Sequence, residues 1–160
     1  MVQQDLELLN HIVLMKEICG NSVEWSNAYK SQWTLGAKFE EDKVVLVALD
    51  LGRGILESLR IRFLRYIEDL VKNNSDKEIL EGAFNQKYGS SSGDSNRNNG
   101  LPSLKYANSV GLVKELQVLT NNVFLDFSNG ARSSRFHWRR DSLKGTIYSW
   151  VIDRNCFINI

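Results

Sequence analysis

Three groups of residues have the types and spacing to do chemistry. Glu17 and Asn21 stand four apart in a stretch that reads as helical, which sets them about 40° apart around the axis. Both side chains can therefore address one ligand, although an ordinary helix boundary face has the same look. Asp50-Leu51-Gly52-Arg53-Gly54-Ile55 follows directly on an apolar run. A carboxylate at a strand end can accept the exocyclic amine hydrogen of adenine, and Gly52 and Gly54 withhold side chains so that backbone can lie close to a flat base. A plain glycine turn between strand and helix would have the same sequence. The third group is Arg97-Asn98-Asn99-Gly100-Leu101-Pro102-Ser103-Leu104-Lys105. A polar loop running into a helix start offers unpaired N–H groups and the positive end of the helix dipole, a place for phosphates. A surface loop explains that composition equally well, but not the placing of Gly and Pro at the helix start.

The elements that must position these residues follow from periodicity. From Asp5 to about Tyr29, Leu8, Ile12, Met15, Cys19 and Val23 recur at intervals of three and four, which predicts a first helix with that stripe buried. Leu14, Glu17, Asn21 and Glu24 run beside the stripe. Residues 32–39 and 43–50 flank the polar turn Glu40-Glu41-Asp42 and predict a hairpin whose second strand, Val44 to Leu49, is central and buried. A second amphipathic helix is expected over 56–71 and a shorter one over 76–84. Residues 88–100 are almost entirely Gly, Ser, Asn and Asp and predict a mobile loop. Leu101-Pro102 reopens order with a helix carrying Leu104, Ala107 and Val110. Residues 116–120, 123–127 and 146–152 read as strands, with Asn121-Asn122 a hairpin turn. This order implies an α+β fold, a two-layer sandwich in which a mixed β-sheet is covered on one face by helices.

Length and composition bound the rest. A chain of 160 residues with 42% apolar and 24% charged side chains suits one soluble domain, 1–160, with a packed core. The formal charge of +1 gives no field that would gather a polyanion, so nucleic acid is not an expected partner. The local run Arg132, Arg135, His137, Arg139 and Arg140, interleaved with Phe136 and Trp138, reads as a solvated loop face rather than a strand-binding patch. Cys19 and Cys156 are too few for a disulfide framework or a four-ligand zinc site. No apolar run approaches a membrane span, and no secretory signal opens the chain, so a cytoplasmic location is expected. His11 reads as a structural or surface histidine, and Trp25, Trp33, Trp138 and Trp150 as core or interface anchors.

Taken in order, Glu-x-x-x-Asn, Asp-x-Gly-x-Gly-Ile, a polar lid ending in Gly100-Leu101, and Gly145-Thr146 on the last strand resemble the GHKL, or Bergerat-fold, ATPases. This superfamily includes the ATP-binding domains of the heat-shock chaperone, DNA gyrase, mismatch-repair proteins and sensor kinases. The resemblance spans Glu17 to about Asp153. It implies that Asn21 coordinates Mg2+ bridging the phosphates of ATP, and that Glu17 is the general base orienting water. It further implies that Asp50 reads adenine, with Gly52, Gly54 and Ile55 at the base and ribose. Gly100 and Leu101 would lie at the phosphates, and Thr146 would support the adenine pocket through water. Residues 85–100 would be the ATP lid. Two departures stand out. Asn98 occupies a place where glycine is common, and the short N-terminus implies a fragment of a longer protein or a partner that completes the sheet.

The activity so implied is magnesium-dependent ATP binding with slow hydrolysis, a switch that passes between ATP and ADP states and is read by a protein partner, a further domain or a second copy in a homodimer. Two other readings fit the same residues. One is the ATP-binding half of a sensor or anti-sigma-type protein kinase. The other is an interaction module that has lost its nucleotide.

Overall fold

The computed structural model describes residues 11–20, 32–64, 75–85, 100–128, 132–135 and 143–157. Helix α1 covers 11–20. Strands β1 (Trp33–Phe39) and β2 (Lys43–Asp50) form the expected hairpin, followed by α2 (Ile55–Leu64), α3 (Asp76–Phe84) and α4 (Gly100–Ser109). Strands β3 (Lys114–Asn121), β4 (Val123–Asp126), β5 (Arg132–Arg135) and β6 (Leu143–Asp153) complete the sheet, and a 3-10 turn, Arg154–Phe157, closes the described chain.

The six strands lie in the order β1-β2-β6-β3-β4-β5. Every neighbouring pair is antiparallel, which corrects the expected mixed sheet. The reason is the place of β6. Strands β2 and β3, whose connection holds three of the described helices, run in the same direction, as a strand–helix–strand connection would have them. The last strand inserts between them, antiparallel to both, so that no two neighbours are parallel.

One face of the sheet is buried. Leu46 and Ala48 of β2, Leu116 and Val118 of β3, Val123 and Leu125 of β4, and Tyr148 and Trp150 of β6 point into a core shared with Leu14, Ile18, Leu56, Ile79, Leu80, Phe84, Leu104 and Ala107 of the helices. The alternation of buried and less buried residues in β3 and β6 is that of a sheet covered on one side. The run Val44 to Leu49 follows the same rule instead of being buried throughout: Val47 is 38% exposed between buried Leu46 and Ala48. Strand β1 is one edge of the described sheet, and all seven of its residues are exposed, Phe39 at 79%.

The buried stripe of α1 also differs from expectation. His11, Leu14 and Ile18 face the core, whereas Ile12 is exposed and Met15 and Cys19 are only half-buried. Residues 11, 14 and 18 and residues 12, 15 and 19 obey the same three-and-four spacing, so the period alone does not choose between faces about 100° apart. On the buried face the His11 ring tilts against Phe157 with centroids 4.9 Å apart, which holds the described start of α1 against the 3-10 turn after β6. His11 is thus a structural histidine.

The helices begin where local chemistry says they should. Ser75 caps α3 in a capping box, its hydroxyl accepting from the Glu78 N–H and its own N–H donating to the Glu78 carboxylate at 2.7 Å. Helix α4 opens at Gly100, with Pro102 in its first turn and Leu104 and Ala107 buried, while Val110 lies exposed just past its end. Asn108 stitches that end to the sheet, donating to the Phe127 carbonyl at 3.1 Å and accepting from the Leu116 N–H at 3.1 Å. Part of the basic run forms β5, paired with β4, where a loop face was expected. No helix of the described residues is long and apolar enough to cross a membrane.

Candidate functional site

The buried face is apolar except at one end. There the register sets Asp50 of β2 opposite Thr146 of β6, and Thr146 opposite Thr120 of β3. These three side chains form a polar row across three strands, exposed by 6%, 1% and 0% respectively. Polar groups removed from water cost free energy unless they find partners, so the pairing within this row decides its character.

The two threonines are satisfied. Thr120 Oγ1 accepts from the Ile55 N–H at 2.8 Å and lies 3.2 Å from the Gly145 carbonyl, which can only accept. The Thr120 and Thr146 hydroxyls lie 3.1 Å apart, within hydrogen-bond reach, and Thr120 Oγ1 also stands 3.3 Å from Asn121 Oδ1. Asp50 differs: its Oδ1 is buried and has no hydrogen-bond partner among the described residues. Loss of water raises the Asp50 carboxyl from an ordinary 3.8 to about 6. Tyr148, two residues beyond Thr146 on the same face of β6, is buried, and burial first and the Asp50 charge second push its hydroxyl up, so it stays neutral. Within the row, Asp50 Oδ1 is therefore the acceptor that lacks a donor among the described residues.

The turn after Asp50 is held from two sides. The Leu51 N–H donates to the Gln32 carbonyl at 3.0 Å, continuing the β1–β2 ladder by one bond. Asn121 Nδ2 donates to the Arg53 carbonyl at 2.9 Å, and the Gly54 carbonyl accepts from both the N–H and the hydroxyl of Ser58, at 3.2 and 2.9 Å, which starts α2. Gly54 has φ of +81°, and a Cβ on it would lie 2.5 Å from Asn121 Oδ1 and 2.7 Å from the Gly145 carbonyl oxygen. Its lack of a side chain thus serves contact with β3 and β6, where room for a ligand was expected. Gly145 is tighter still: φ is +134° and a Cβ would lie 1.9 Å from the Asp50 carbonyl oxygen. Only glycine lets the start of β6 close on the end of β2.

The structure thus joins Asp50, Gly54, Ile55 and Thr146 in one cluster, with Gly52 half-buried in the same turn. Thr120, Asn121 and Gly145 complete it. Thr120 and Asn121 carry no motif, and the one sequence signal for them is the polar triplet Thr120-Asn121-Asn122 ending an apolar strand. Gly100 is buried at the start of α4, and Leu101 packs against the core. No hydrogen bond links either to the polar row among the described residues. Glu17 is half-buried on α1, one turn beyond Leu14 and next to Ile18, which enter the core. Asn21, the expected magnesium ligand, and nearly all of the expected lid lie outside the described residues. Among the described residues no three His, Cys, Asp or Glu side chains gather into a metal site.

Compared with known proteins, the chain matches no family model and no curated sequence.

Proposed function

We propose that this chain binds the adenine of ATP at the Asp50–Thr146–Thr120 row of a Bergerat-type sandwich, with Mg2+ at Asn21, and acts as a nucleotide-controlled switch with slow hydrolysis. One observation carries the reading: a buried carboxylate oxygen with no donor among the described residues, set in a row with two buried threonines. The exocyclic amine of adenine supplies one donor to Asp50, and a bridging water supplies another to Thr146. Gly52 and the turn around it form the adjoining backbone wall. Glu17 would orient the attacking water, and Gly100 and Leu101 would meet the phosphates at the start of α4, where a buried glycine opens a ten-residue helix. Magnesium is held chiefly by phosphate oxygens and water, so a single amide oxygen from Asn21 is an adequate protein ligand. A protein partner or a second copy would read the switch. The two free thiols, Cys19 and Cys156, suit a reducing cytoplasmic setting.

Calorimetric titration with ATP, ADP and Mg2+ tests the proposal. A hydrogen bond to a charged group contributes about 1.5–3 kcal/mol, so Asp50→Asn should weaken adenine nucleotides by roughly 10- to 150-fold. A wild type that binds neither ATP nor ADP at millimolar concentration, and whose thermal midpoint neither nucleotide raises, sinks the reading in favour of an interaction module without nucleotide. Hydrolysis is tested separately. Glu17→Ala should bind ATP and lose turnover, and a nucleotide-binding wild type with no ATP turnover removes the hydrolytic half.

A further inference from the structure

Asn121 has φ of +52°, in the left-handed region where glycine costs nothing and other residues are uncommon. Its side chain must supply what glycine would not. Nδ2 donates to the Arg53 carbonyl at 2.9 Å and reaches the Leu143 carbonyl at 3.4 Å. Oδ1 fills the space where a Gly54 Cβ would stand. The preceding residue, Thr120, accepts the Ile55 N–H at 2.8 Å. Two consecutive residues at the end of β3 therefore take hold of the turn on either side of Gly54, one through the carbonyl of Arg53 and one through the amide of Ile55. The following residue anchors the hairpin itself: Asn122 Nδ2 donates to Asp76 Oδ2 at 3.2 Å, and Asp76, buried at the start of α3, is also paired with Arg60 of α2.

We propose that Asn121 is a positioning residue of the adenine site, clamping the Leu51–Gly54 turn so that its backbone stands at a fixed distance from a base held by Asp50. It acts through the turn and does not touch the ligand. The inference rests on the nucleotide reading above and deepens it by assigning the shape of the base pocket to a residue on another strand. A turn held before the ligand arrives costs nothing to order on binding, whereas a released turn must be ordered by the ligand.

Asn121→Gly separates this role from a merely structural one. Glycine accepts the left-handed backbone at least as well, but losing the hydrogen bonds to the Arg53 and Leu143 carbonyls should lower the thermal midpoint of the nucleotide-free protein while leaving its unfolding cooperative. With the clamp gone, affinity should fall by about tenfold, equally for adenosine and for magnesium-ATP, because the loss lies at the base and not at the phosphates. Hydrogen exchange at the Ile55 amide should quicken in the same variant. Asn121→Asp keeps the size and the left-handed tolerance but removes the donor to Arg53, and should show the same uniform loss of affinity. Wild-type affinity for both ligands in both variants overturns the clamp alone, and a loss confined to ATP overturns it as well. A wild type that binds neither adenosine nor ATP overturns the nucleotide reading beneath it.

Discussion

Replacing Asp50 by Asn should make the nucleotide-free protein relatively more stable as pH rises. Burial raises the Asp50 carboxyl from 3.8 to about 6, so the folded chain holds this proton more tightly than the unfolded chain does. Between these values the folded state binds more protons, and stability falls as pH rises; above about pH 6 the loss is complete and levels off. A shift of about two units corresponds to roughly 3 kcal/mol. At 6% exposure the carboxylate is little screened by solvent. Asparagine does not ionise, so it escapes this cost. Its buried amide adds a penalty of its own, about 1–3 kcal/mol if it finds no partner, but that penalty is the same at every pH. The pH dependence of the difference isolates the charge. From pH 4.5 to 7.5 the stability of Asp50→Asn relative to wild type should rise by about 2 kcal/mol, or about 4–8 °C in thermal midpoint for a chain of this size. Thermal unfolding of both proteins by circular dichroism at the two pH values, without nucleotide, measures it. A gap that is the same at pH 4.5 and 7.5 would show that Asp50 is not held in its costly ionised form and would refute the argument. On the proposed reading, the expected result is a variant whose stability relative to wild type rises with pH while its affinity for nucleotide falls.

Other outcomes follow from the same geometry. If Asp50 reads adenine as proposed, binding needs the ionised carboxylate as acceptor, so affinity for ATP should be flat above about pH 7 and fall toward tenfold weaker per unit below about pH 6; titration across pH 5–8 reads this, and affinity independent of pH over that range contradicts it. Gly145→Ala forces a Cβ to within 1.9 Å of the Asp50 carbonyl at a φ of +134°, and should cost more than about 3 kcal/mol, seen as loss of the cooperative unfolding transition; a midpoint close to wild type would show that β6 does not close on β2 as described. Ser75→Ala removes the α3 cap and should cost about 1 kcal/mol by chemical denaturation, without changing the affinity of the protein for adenosine.

The sequence reveals the elements more readily than their arrangement. The hairpin of β1 and β2, the short helix α3 and the helix opening at Gly100 follow from turn residues, a capping box and a glycine–proline start, all of them local. The sheet order does not, because the insertion of β6 between β2 and β3 depends on pairing between residues some hundred positions apart. The face of α1 was likewise hidden, since His11 would not be chosen as a core residue without Phe157 opposite it. At the site, Asp50 and Thr146 are visible as strand-end residues near glycines. Thr120 and Asn121 are not, because what marks them is a hydrogen bond across 65 and 68 residues of chain. Gly54 illustrates a subtler gap: its presence is legible, but its reason, contact with Asn121 and Gly145, appears only in three dimensions.

The late entry of β6 has a consequence for the newly made chain. Strands β1 and β2 pair through a short turn, as do β3 and β4, so each hairpin can form while the ribosome is still at work. Among the described residues no strand pairing joins the two until residues 143–153 arrive to bridge them. The polar row is assembled by that same event, since Thr146 stands between Asp50 and Thr120. A polypeptide stalled or cut before Gly145 would therefore hold both hairpins and still lack the row. On the proposed reading, nucleotide binding would report that synthesis has passed β6, and a shorter copy would stay silent instead of competing for ATP.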